Sequence, residues 1–478
     1  MKHPLIYIFL FALIVLSCDK GSKFGNELPD TKVIPHVVNL EGDNRLRSTV
    51  DLAWFGSDVD GYITGYEYSL DNQNWVYTTG TDTTFVFEIT GGSDTLDIEF
   101  YVRAIDDKNE KDLTPAHVII PIKNTPPDVT FDEALSSKDT AFIVTSIFWN
   151  ANDDDGIDNL NEIELKINNG AWFKIDKKHS NLTLVPENPS ATGPTDSKIY
   201  FESDQAESQK IDGLVVGDTN IFYIRAFDVA NSVSEIDTLS GVFVKQKTSD
   251  LIVIGGDRDY NSFYTTRISN AVSNFDYIDY AVDDGKWQPA FWNTTFFLMI
   301  SEYDKVCIFS DKKEYLNAST GLSSLILESS ARPIQDYSNN GGKVLSIGYF
   351  DTDKGVTSNS LIFSVYPIES MDFSSGNPSL ARSDTALISQ EAGYPSLGTT
   401  SFPKQISPFK ASSDGVVIYK GDMDSFSSYN GPSSLGVKRS NGTNTNMVFI
   451  AAGLNIFSKD FTQVDTLFNQ VLTKEFNW

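Results

Sequence analysis

Cysteine and histidine are scarce in this chain of 478 residues. Its two cysteines, Cys18 and Cys307, cannot supply the bridges that small exported domains rely on, so stability has to come from cores large enough to stand unaided. The four histidines are His3, His36, His117 and His179, so none lies in the C-terminal half. A hydroxyl or thiol nucleophile there has no imidazole to take its proton, which argues against triad hydrolysis. The motifs G-x-S-x-G, G-x-x-x-x-G-K-[ST], H-E-x-x-H and C-x-x-C are all missing. Basic side chains are also few: 37 Lys and Arg against 65 Asp and Glu leave a formal net charge of -28. A surface this acidic is repelled by phosphate backbones and anionic headgroups, so nucleic acid and direct membrane-surface binding are disfavoured.

What is present starts with a short hydrophobic run. Lys2 and His3 precede an unbroken apolar stretch from Leu5 to Leu16, which ends in Ser17-Cys18-Asp19-Lys20. The run is too short to span a bilayer and reads as a secretory signal. Val15-Leu16-Ser17-Cys18 resembles the lipobox of bacterial lipoproteins. The resemblance implies residues 1–18 as signal peptide, cleavage before Cys18, and acylation of Cys18 as the lipidation site. The protein is then expected to be exported and lipid-anchored to the bacterial cell envelope, at the outer membrane, with its acyl chains as the membrane contact. An ordinary signal peptide with a chance cysteine is the alternative. Residues 19–32 are polar and read as a flexible tether.

The next two segments, 33–123 and 124–247, form an internal repeat. Trp54-Phe55-Gly56-Ser57-Asp58-Val59-Asp60-Gly61 and Trp149-Asn150-Ala151-Asn152-Asp153-Asp154-Asp155-Gly156 share W-x-x-x-D-x-D-G. Each is followed by alternating strand residues, a later tryptophan (Trp75, Trp172), and a late strand, Phe100-Tyr101-Val102-Arg103-Ala104-Ile105-Asp106 or Phe222-Tyr223-Ile224-Arg225-Ala226-Phe227-Asp228. Short alternating strands between Asp, Asn and Gly turns predict antiparallel β-sandwiches. The early Trp and the F-Y-x-R-A-x-D strand make both copies similar to bacterial fibronectin type III-like modules. Between about Asp176 and Lys210 the second copy carries a polar insertion with Pro186, Pro189 and Pro194, expected to loop out or add an edge hairpin.

From residue 248 to 478 the pattern changes to strand, helix, strand, helix, which predicts an α/β domain with a mostly parallel sheet. Leu251-Ile252-Val253-Ile254-Gly255-Gly256, Lys305-Val306-Cys307-Ile308-Phe309, Lys343-Val344-Leu345-Ser346-Ile347 and Met447-Val448-Phe449-Ile450-Ala451-Ala452 read as buried strands, and a terminal helix carries Phe461, Val464, Leu467 and Phe468 on one stripe. The order resembles the flavodoxin-like sheet of class I glutamine amidotransferase-like domains. That family places a cysteine on the turn after a core strand, but here the turn reads Ile347-Gly348-Tyr349-Phe350, so the resemblance implies a domain lacking the catalytic residues. The stretch from Asp351 to Gly415 fits the pattern poorly and reads as a lid-like or β-rich excursion beside the carboxyl edge of the sheet. Cys307, inside an apolar strand, reads as core.

Two places could bind something. Asp257 and Asp351, near the carboxyl ends of strands, and Trp287 and Trp292, after an Asp-Asp-Gly turn, form a candidate ligand rim. In the sandwiches, Asp58 and Asp60 are expected near Asp106 and Asp107, and Asp153 and Asp155 near Asp228. Converging carboxylates with no His or Cys suit calcium. Gly156 and Glu162 keep the EF-hand interval, but Ala151 occupies the first ligand position, so the loop is not an EF-hand. The alternative is that these aspartates make Asx turns. Together these features favour a non-catalytic binding or scaffold lipoprotein whose sandwich stalk presents a degenerate α/β domain to a surface glycan or protein partner. A carboxylate-dependent hydrolase acting on glycan or peptide is the alternative, and a purely structural spacer a third.

Overall fold

The computed structural model describes residues 25–34, 45–87, 89, 94–281, 287–311, 313–350, 356, 360–371, 374–441 and 444–477. The signal segment, Cys18, His36, the Asp-Asp-Gly turn before Trp287 and Asp351 lie outside them. Among the described residues no helix is long and apolar enough to cross a membrane. The chain forms two compact units, one of Met1–Asp128 with Ala151–Glu162 and Ala226–Glu235, the other of Val129–Asn150, Ile163–Arg225 and Ile236–Trp478.

The first repeat copy contributes β1 (Asp30–Ile34), β2 (Thr49–Ser57), β3 (Ile63–Ser69), β4 (Val76–Thr78), β5 (Asp82–Val86), β6 (Thr95–Asp106) and β7 (Ala116–Lys123). They make two sheets, β1-β2-β5 and β4-β3-β6-β7, with every pair antiparallel. Alternation turns Val50, Leu52 and Trp54 of β2 inward to meet Phe100, Val102 and Ala104 of β6. Trp54 is buried, with ring centres 5.8 Å from Phe100 and 6.3 Å from Tyr66. The repeated tryptophan is therefore a core residue that fills the space between two sheets.

The second copy has β8 (Asp128–Phe131), β9 (Thr140–Phe142), β10 (Thr145–Asn152), β11 (Leu160–Ile167), β12 (Phe173–Asp176), β13 (Asn181–Pro186), β14 (Gly193–Tyr200), β15 (Lys210–Val216), β16 (Thr219–Asp228) and β17 (Asp237–Lys245). Its sheets run β15-β14-β13-β10-β8 and β12-β11-β16-β17-β9. The insertion neither loops out nor sits at an edge: β13 and β14 lie between β10 and β15 in the interior of the sheet. Leu182, Leu184, Val185 and Ile199 are buried there, and this apolar content outweighs the prolines, which fall at strand ends and in the connecting turn.

The last module contains β18 (Leu251–Gly256), β19 (Asp276–Asp279), β20 (Lys305–Ser310), β21 (Glu314–Leu316), β22 (Ser323–Leu325), β23 (Lys343–Gly348), β24 (Ile368–Met371), β25 (Leu387–Ser389), β26 (Phe409–Ala411), β27 (Val416–Gly421), β28 (Ser434–Asn441) and β29 (Asn444–Ile450). Five strands, β19-β18-β20-β23-β29, are mutually parallel in the order 2-1-3-4-5 of a doubly wound sheet. Helices Asn261–Ala271, Thr294–Ser301 and Ala331–Asn339 make crossovers between these strands, and Phe461–Phe468 follows the last of them. Covered on both faces, β18 and β20 are buried at every residue, which is why they read as unbroken apolar runs. Beyond β29 the sheet continues antiparallel through β28, β26 and β24, with β27 and β25 attached. The described part of the excursion after Asp351 is mostly irregular; its short strands β24, β25 and β26 join the sheet, and Ser407 from it reaches the turn after β23.

Candidate functional site

At the carboxyl edge of the parallel sheet, β18 ends in Gly255-Gly256 and passes to Asp257. Asp257 is buried, and its Oδ1 accepts from the backbone amides of Asp259 (3.0 Å) and Tyr260 (2.8 Å), turning the chain into the helix Asn261–Ala271. Burial pushes its carboxyl up to about 6, and the charge of Asp311 pushes the same way. Two apolar side chains pack against the last residues of neighbouring strands. A Cβ at Gly256 would lie 2.9 Å from Ile326 Cδ1, and one at Gly348 would lie 2.7 Å from Leu327 Cδ1 and 2.7 Å from the Ser310 carbonyl. Ile326 and Leu327 are both buried.

The turn after β23 carries no nucleophile, and the hydroxyl beside it is occupied. Ser407 Oγ accepts from the Phe350 amide at 2.7 Å and donates to the Phe350 carbonyl at 3.1 Å, clasping the turn from a buried position. Ser407 escaped sequence reasoning because it comes from the irregular stretch before β26. Cys307 faces the core of β20, where burial holds its thiol far above the ordinary range. His117 pairs with Glu99 at 3.0 Å and stacks on Tyr101, and His179 stacks on Phe201, so both are edge residues.

The aromatic half of the candidate rim does not form. Trp287 is only 8% exposed and belongs to the core. Trp292 is half-buried and lines a cavity of about 400 Å³ with Asn293, Thr294, Phe148, Asn181, Thr183 and Glu202. Asp257 is not among the lining residues. Trp75 and Trp172 are not open platforms either: Arg103 lies over Trp75 at 3.9 Å and Arg225 over Trp172 at 4.2 Å. Each arginine is held by a glutamate, Arg103 by Glu67 (2.7 Å) and Arg225 by Glu164 (2.6 Å). The repeated Trp, Glu and Arg therefore form one stack in each copy.

The aspartates of the D-x-D-G turns do gather with the ends of the F-Y-x-R-A-x-D strands. In the first copy Asp58 Oδ1 accepts from Asp60 N (3.3 Å), Asp60 Oδ1 from Glu27 N (3.2 Å), and Asp106 Oδ2 from Asn26 Nδ2 (2.5 Å). Asp58 and Asp107 both face Gly61, whose Cβ, if present, would meet a carboxylate oxygen of each. In the second copy Asp153 Oδ1 accepts from Asp155 N (2.8 Å), Asp155 Oδ2 from Thr125 N (2.7 Å), and Asp228 Oδ2 from Asn124 Nδ2. In the second, Ser48 Oγ also donates to Asp155 Oδ1; otherwise the two clusters repeat the same three contacts, including one from an asparagine that sequence reasoning missed. Its signal is N-x-x-P-D, present as Asn26-Glu27-Leu28-Pro29-Asp30 and Asn124-Thr125-Pro126-Pro127-Asp128. Burial pushes Asp153 up to about 6, with the charges of Asp155 and Asp228 adding to it. Among the described residues no three His, Cys, Asp or Glu side chains are placed to hold a metal by themselves.

No family model matches the chain, and no curated protein does. Solved structures that align with it include the fibronectin(III)-like modules of Clostridium thermocellum CbhA, over 45% of this chain and 95% of theirs, at 12% identity and a TM-score of 0.17. The central fibronectin-III array of RIM-binding protein aligns over 44% of this chain and 96% of its own, at 14% identity and a TM-score of 0.15. A two-domain fibronectin type-III segment of chicken tenascin aligns over 42% and 96%, at 11% identity and a TM-score of 0.21. The sandwich architecture of this chain rests on its own strand pairings.

Proposed function

We infer that this chain is an envelope lipoprotein whose two fibronectin type III-like modules carry an α/β domain of amidotransferase-like topology, and that this domain binds or scaffolds without catalysing a reaction. The observation that carries the reading is the close apolar packing of Ile326 and Leu327 against Gly256 and Gly348, at the end of the sheet where a doubly wound fold ordinarily receives its ligand. The clasp of Ser407 on Phe350 leaves that hydroxyl no freedom to attack. Apolar packing at that end favours recognition of a partner protein over enclosure of a small glycan. The lipobox-like Val15-Leu16-Ser17-Cys18 supports the anchor. Expression of wild type and Cys18→Ser in a bacterial host, with metabolic fatty-acid labelling and membrane fractionation, tests the anchor. Wild type is expected to be labelled and membrane-bound, and the variant unlabelled and released; an unlabelled wild type overturns it. The non-catalytic reading expects no turnover above blank on a panel of esters, amides and glycosides.

One observation favours the hydrolase reading, namely a buried carboxyl with a raised pKa at a strand end, Asp257 beside Asp311. That reading expects turnover that disappears in Asp257→Asn.

A further inference from the structure

Five of the buried side-chain atoms without a hydrogen-bond partner belong to the two equivalent aspartate clusters: Asn26 Oδ1 and Asp58 Oδ2 in the first copy, Asn124 Oδ1, Thr125 Oγ1 and Asp153 Oδ2 in the second. An unpaired buried polar atom costs free energy, and the same amide and carboxylate oxygens stand unpaired in both copies. In the second cluster Asn124 is 8% and Asp153 3% exposed. All five are oxygens: the amide and carboxylate oxygens are acceptors only, and the Thr125 hydroxyl can accept as well as donate.

The copies differ in charge. In the first, Lys108 pairs with Asp107 at 3.1 Å, and its ammonium is held protonated by Asp107 first and by Asp60 and Asp106 as well. The residues at the same places after the second strand are Val229 and Ala230. Among the described residues no lysine or arginine pairs with Asp153, Asp155 or Asp228; Arg47 reaches only Asp154, at 3.6 Å. Three carboxylates thus gather around unpaired oxygens with no side-chain cation beside them.

We propose that the second cluster is a divalent-cation site, with the unpaired Asn124 Oδ1, Thr125 Oγ1 and Asp153 Oδ2 as its oxygen ligands and the charges of Asp155 and Asp228 beside them. Hard oxygen donors from carboxylate, amide and hydroxyl are the set calcium takes. The mixed set fits the absence of a shell made of carboxylates alone. The ligands come from two chain segments, the linker Asn124-Thr125 and the D-x-D-G turn. A bound ion therefore fastens the linker to the turn. In the first copy Lys108 places a positive charge beside Asp107, so the ion is assigned to the second copy, which has no such cation.

Calorimetric titration of the full chain with calcium chloride, after chelator treatment, tests the assignment. One equivalent is expected to bind in the range of extracellular modules, about 10⁻⁴ to 10⁻³ M. Asp153→Asn and Asn124→Ala should each weaken it by roughly tenfold or more, and Asp58→Asn should leave it unchanged. Circular dichroism and melting in chelator establish that each variant is folded. Cleavage by protease between residues 123 and 128 is expected to slow with calcium in the wild type and not in Asp153→Asn. No binding up to about 5 mM, or binding that survives both second-copy substitutions, overturns the proposal.

Discussion

Asp153 shows how one side chain can carry a cost that its surroundings impose. Its carboxyl titrates near 3.8 when unperturbed and at about 6 in the fold, so the folded chain holds an extra proton between those values. Stability linked to this group is therefore greatest at low pH and is lost as pH rises through about 6. In chelator, Asp153→Asn is expected to melt above the wild type at pH 7.5, with the difference shrinking toward pH 4.5. Melts at several pH values check this, and a difference independent of pH would show that the ionisation of buried Asp153 is not the cause. The aspartates and their clustering were legible in W-x-x-x-D-x-D-G. Asn124 was not, because a lone asparagine before two prolines reads as a linker until the fold brings it to Asp228.

Among the elements, β13 and β14 departed furthest from the sequence reading. A polar stretch with three prolines suggests a loop, yet Leu182, Leu184 and Ile199 alternate inward and place the hairpin inside a sheet. Alternation over four to six residues is a weak signal when prolines and asparagines surround it, and tertiary burial decides the outcome. Leu184→Ala is expected to destabilise the second sandwich by about 2–5 kcal/mol, against well under half of that for a residue in an expelled loop. A denaturant titration followed by the fluorescence of the sandwich checks it. The parallel strands β18, β20, β23 and β29 were readable because a strand covered on both faces shows no alternation, only a run of branched apolar residues.

For the whole molecule, modules read along the sequence and compact units in space do not coincide. Most of the second sandwich belongs to one unit with the α/β domain, although residue 247 reads as a boundary. Within that unit Lys247 Nζ donates to the Glu302 carbonyl at 2.6 Å, and Trp292 shares its cavity with Phe148 and Thr183. A fragment of residues 248–478 is accordingly expected to melt several degrees below the same domain in the full chain, by roughly 4 °C for each kcal/mol lost. Calorimetry of the two proteins checks this, and equal melting would mean that these contacts add no stability.

Composition and spacing alone pointed to antiparallel sheets in the repeats and to the parallel strands of the last module, though not to the antiparallel half that makes its sheet mixed, because β alternation, buried parallel runs and repeated W-x-x-x-D-x-D-G turns are local patterns that local physics enforces. The scarcity of histidine and cysteine likewise limited the chemistry without reference to any fold. The remainder depended on contacts between residues far apart in the chain: Ile326 and Leu327 packed against Gly256 and Gly348, Ser407 clasping Phe350, Trp287 turned into the core, and Asn124 brought to Asp228. Whether a carboxylate is a solvated turn residue or a buried, repelled ligand depends on what surrounds it. Only the tertiary structure determines those surroundings.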